Sequence, residues 1–95
     1  MQIIWTQNAQ NEFINNLLYL ESEWSTSVAK KFKSEVFQKL ELLKINSSTF
    51  QMTGFGETQK IYMTKHITLY YLVEKNNIVL LHFWNNAQNP ENLSL

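Results

Sequence analysis

The chain has 95 residues, a formal net charge of zero and no cysteine. That length predicts one domain spanning 1–95, and 44% hydrophobic with 14% aromatic residues suffices for a core without disulfide or metal. Lack of cysteine excludes a disulfide framework and a thiolate metal site. The neutral charge argues against binding nucleic acid by phosphate neutralisation, and because all eight basic residues are lysines, bidentate guanidinium contacts are excluded.

Met1 to Thr6 has neither a basic stretch nor a long apolar run, so no secretory leader is expected. The longest apolar run, Ile78 to Leu81, is far short of a membrane span, and the expected location is cytoplasmic. Gln2 to Trp5 reads as a short strand, and Thr6 as a helix N-cap. Ala9, Phe13, Leu17, Leu20 and Trp24 then recur at helical spacing, widened by Ile14 and Leu18. Asn11, Glu12, Asn15 and Asn16 fall on the opposite face. Ser25 or Thr26 caps a second helix, whose stripe is Val28, Phe32, Val36, Leu40 and Leu43, broadened by Ala29 and Phe37. The short connection makes the helices antiparallel neighbours, and Asn46-Ser47-Ser48 ends the second.

A loop containing Gly54 and Gly56 follows, after which the period changes to two. Ile61 and Met63 alternate with Lys60, Tyr62 and Thr64. Ile67, Leu69, Tyr71 and Val73 alternate with Thr68, Tyr70 and Leu72. Asn76-Asn77 is a tight turn, because asparagine tolerates positive φ. Ile78 to Trp84 is apolar on both faces except at His82, as in a central strand, so the first strand is expected beside the last. The predicted class is α+β: a strand, a two-helix antiparallel hairpin, then a three-stranded antiparallel meander, all in one sheet.

Several residues could carry chemistry. His66 sits near a strand turn and His82 within the apolar strand. Each is either an ordinary solvated or half-buried histidine, or a general acid or base tuned near neutrality. Neither has metal-ligand spacing, so no metal and no cofactor is assigned. Lys60 and Lys65 bracket the first strand of the meander, as phosphate contacts or as edge lysines that discourage aggregation. Tyr62 and Tyr70 can donate hydrogen bonds or stack on bases, whereas Tyr71 shares the core face with Leu69 and Val73. Trp84 is a stacking surface or, preferably, the last core residue of its strand. No Ser-His-Asp set, phosphate loop or dinucleotide fingerprint is present.

The ensemble resembles the RelE/ParE superfamily of bacterial type II toxins, often labelled plasmid stabilisation proteins. The resemblance is carried by Ile3-Ile4-Trp5-Thr6-x-x-Ala9, Leu17-x-Tyr19-Leu20, Trp24-Ser25 and Ala29-x-x-Phe32. It is strongest in Lys65-His66-Ile67-Thr68-Leu69-Tyr70-Tyr71-Leu72-Val73 and in Phe83-Trp84-Asn85-Asn86-Ala87-Gln88-Asn89-Pro90. It implies a growth-inhibiting toxin neutralised by a cognate antitoxin, which docks on the hairpin groove and the exposed sheet face. Operator DNA would be bound only through the antitoxin. RelE-like members cut messenger RNA on the ribosome, whereas ParE-like members poison DNA gyrase, so both targets stand as implied alternatives. The family's usual arginines are replaced here by Lys60, Leu72 and Ala87, and its tail acid by Asn85. If the chain is an enzyme, it is an endoribonuclease with Lys60 on phosphate and Lys65, His66 or His82 moving protons. Tyr62, Tyr70, Trp84, Asn85 and Gln88 are the candidate binding residues. A member that has lost toxicity and acts only as an antitoxin-binding or regulatory protein is the other expectation, favoured by the missing arginines.

Overall fold

The computed structural model describes residues 1–45, 51–52, 58–87 and 93. Its elements are β1 (Gln2–Trp5), α1 (Gln7–Glu23), α2 (Thr26–Ile45), β2 (Gln51–Met52), β3 (Thr58–Tyr62), β4 (Ile67–Glu74) and β5 (Asn77–Asn85). The expected order is present, with the two-residue β2 added in a segment read from sequence as loop. Gly54, Gly56 and the helix stop at Asn46-Ser47-Ser48 lie outside the described residues. One mixed sheet has the order β1-β5-β4-β3-β2. β1 runs parallel to β5, and the other pairings are antiparallel.

Local chemistry sets the helix starts. Thr6 is extended at φ −73° and ψ 162°, and its hydroxyl oxygen accepts from the Ala9 N–H at 3.2 Å. The same hydroxyl donates to the Leu80 carbonyl at 2.7 Å, so the cap also ties α1 to β5. Ser25 rather than Thr26 caps α2, accepting from the Val28 N–H at 3.1 Å. In the hairpin between β4 and β5, Glu74 pairs with Asn77, so the turn residues are Lys75 and Asn76. The positive φ falls on Lys75, at 56°, one position before the asparagine pair expected to supply it. At the foot of β3, the Lys39 ammonium donates to the carbonyls of Tyr62 and Met63 at 3.0 and 2.6 Å.

Both helices lie on one face of the sheet. The core joins Ala9 and Phe13 of α1 and Phe32, Val36, Leu40 and Leu43 of α2 to the inward residues of β3, β4 and β5. The helical stripes are narrower than their sequence spacing. Trp24 is 71% exposed because it occupies the non-helical C-cap of α1, where its direction leaves the stripe. Ile14, Leu18, Val28 and Phe37 are also exposed, since a helix resting on a sheet buries only the arc that faces it.

A bulge decides which residues of β5 enter the core. Tyr70 pairs with His82, but Tyr71 pairs with Leu80, leaving Leu81 as the extra residue. Counting by twos from Ile78 and Leu80 would carry His82 inward; the extra residue gives that place to Phe83, which is 2% exposed. The Phe83 ring stacks on Trp5 at 5.4 Å between centroids.

Tyr71 is fully buried, as its alternation predicts, and desolvation pushes its phenol up from 10.0 to about 12. Between those two values the unfolded chain releases a proton that the folded chain keeps. Stability owed to the neutral phenol is therefore intact below pH 10 and falls as pH rises towards 12. At about 1.4 kcal/mol per pH unit the loss is roughly 3 kcal/mol. Urea denaturation at pH 9 to 12 should show this decline, and Tyr71→Phe should flatten it; an unchanged slope in the variant would rule Tyr71 out as its source.

Candidate functional site

The face of the sheet turned away from the helices gathers several of the candidate residues. Lys60 of β3 pairs with Tyr70 of β4, which pairs with His82 of β5, so the three form one cross-strand row. The next row is Tyr62, Thr68 and Trp84. Residues in register on neighbouring strands share a face, because the pleat alternates with period two. Lys60 lies over the Tyr62 ring, 5.5 Å from its centroid, and the rings of His82 and Trp84 meet edge-on at 6.4 Å. Trp84 is buried as expected, but on this outer face rather than in the core beneath the helices. A third row runs through Thr58, Leu72, Val79 and Ile4 and is apolar except at Thr58.

His82 has an unexpected partner. β1 ends opposite Leu80, so among the described residues no strand pairs with β5 on that side from Leu81 to Asn85. α1 covers the gap. The Glu12 carboxylate accepts from the Phe83 N–H at 3.2 Å, a donor that faces away from β4 and towards the missing strand. His82 Nδ1 lies 3.0 and 3.2 Å from the two Glu12 oxygens. A carboxylate only accepts, so Nδ1 carries the proton in this pair. The His82 and Glu12 side chains are 12% and 28% exposed. Glu12 thus does not belong with the solvent face of α1. It lies about 100° from Phe13 around the helix, on the flank that overhangs β5.

The remaining candidates lie elsewhere. Lys65 and His66 are exposed in the β3–β4 turn, where the Thr64 hydroxyl oxygen accepts from the N–H groups of His66 and Ile67 at 3.1 Å each. Asn85 is on the helix side of the sheet, and its side-chain oxygen accepts from the Ala87 N–H at 2.9 Å. Gln88 lies outside the described residues. His66 and Asn85 both line a groove of about 500 Å³ between the helical hairpin and the end of the sheet. Tyr19, Leu20, Trp24 and Phe32 supply its apolar wall, and Lys31 and Glu35 stand along it.

Lys60 and His82 are therefore the only two of the four proposed catalytic residues on one face, separated by two strand spacings, or about 10 Å. Sequence reasoning missed Glu12, and the signal that could have found it was a lone acid beside the apolar stripe, next to Phe13. Among the described residues, no group of three histidine, aspartate or glutamate side chains could hold a metal ion. No helix among them is long and apolar enough to cross a membrane.

A family model described as the ParE toxin of the type II toxin-antitoxin system parDE matches residues 3–90. No curated protein matches the chain by sequence. Among solved structures, the chain is similar to one described as the chromosomal ParDE toxin-antitoxin system from P. aeruginosa, with a TM-score of 0.77 and 12% identity, covering 90% of this chain and 95% of that one. A copper-bound mutant toxin from Helicobacter pylori gives 0.69 and 15% identity, over 92% and 96% of the two chains. A YoeB dimer from Staphylococcus aureus gives 0.60 and 13%, over 87% and 93%. At these identities the structural likenesses speak for the fold; the family rests on the sequence model.

Proposed function

Because this chain belongs to the ParE toxin family of type II toxin-antitoxin systems, we propose that it arrests growth by engaging DNA gyrase and is held inactive by a cognate antitoxin. The observation that favours gyrase over messenger RNA is the dispersal of the candidate catalytic groups. Lys65 and His66 are at the turn, Lys60 is over Tyr62, and His82 is mostly buried with Nδ1 turned to Glu12. With no arginine in the chain, the outer face has Leu72 and Val79 where a phosphate-binding surface would need cations. A face with a single lysine among aromatic, aliphatic and uncharged polar residues suits a protein target better than a polyanion.

Induced expression without the antitoxin tests this. Growth should stop, DNA-damage signalling should rise, and messenger RNA ends should match those of uninduced cells. New RNA ends at codon boundaries would overturn the gyrase reading in favour of ribosome-dependent cleavage. The row of Lys60, Tyr70 and His82, with Glu12 behind the imidazole, is the arrangement that would then carry it. Normal growth would point instead to a member that only binds its antitoxin.

A further inference from the structure

We draw no further inference here: the strongest candidate, the sheet edge along β1, where Ile4 stands 40% exposed in a strand without a charged side chain, is an unpartnered apolar surface and nothing in the structure shows what covers it.

Discussion

Phe13→Ala is expected to destabilise the fold by about 3–5 kcal/mol, the range for deleting a buried aromatic ring. Phe13 is 7% exposed, and its ring contacts four others. The centroid distances are 5.3 Å to Trp5, 5.4 Å to Phe83 and 6.0 Å to both Phe32 and Phe37. Those rings come from β1, β5 and α2, so the site joins all the layers around α1. Removing the ring loses the transfer free energy and several aromatic pair terms, and leaves a cavity whose rigid aromatic walls collapse poorly. A domain this small has a total stability of roughly 5–14 kcal/mol, so one substitution would remove a large part of it. The thermal midpoint should drop by roughly 15 °C or more. Phe13→Leu, which refills most of the volume, should cost less than half as much. A fall of only a few degrees for the alanine variant would mean that Phe13 is not the hub of this cluster.

Glu12→Ala should destabilise the fold by about 2 kcal/mol, the larger part of it at one strand edge. It leaves the Phe83 N–H and the His82 Nδ1–H without their acceptor. Hydrogen bonds to a charged group contribute about 1.5–3 kcal/mol each, and the partial exposure of Glu12 lowers that figure, because water can replace some of what is lost. Glu12→Gln keeps one carbonyl oxygen for one of the two donors and should recover about half of the loss. Urea denaturation of both variants measures the cost, and exchange of the Phe83 amide locates it: in Glu12→Ala that amide should exchange faster, while amides in the β4–β5 ladder change only with global stability. Unchanged Phe83 exchange would show that water or another group already serves this edge.

Much of the architecture was legible because its signals are local. Thr6 is a cap because a short hydroxyl next to a helical repeat can reach the first free N–H groups, whatever lies beyond. The change of period after Gly56 announces strands for an equally local reason, and Tyr71 is buried because it alternates with Leu69 and Val73. The doubly apolar Ile78 to Trp84 placed β5 between two neighbours, as it is, between β1 and β4. The turn lies one residue earlier than its asparagines suggest, because the positive φ depends on the strand register, which puts Lys75 at the strained position although asparagine is the better local candidate.

The candidate site was less legible, since its assembly depends on where strands stop. Nothing near Glu12 in the chain says that β1 will end opposite Leu80 and leave the Phe83 N–H needing an acceptor. Nothing near His82 says that Leu81 will be an extra residue and turn the imidazole away from the core. The sequence by itself determined both helices, four of the five strands, the Thr6 cap, the neighbourhood of β1 and β5 and the absence of arginine, because composition and short-range periodicity follow from the chain alone. Only the tertiary structure decided which residues share the outer face, that Trp24 stands in solvent, and that α1 closes part of an open strand edge, because those depend on register and strand length, which are set between segments up to 75 residues apart.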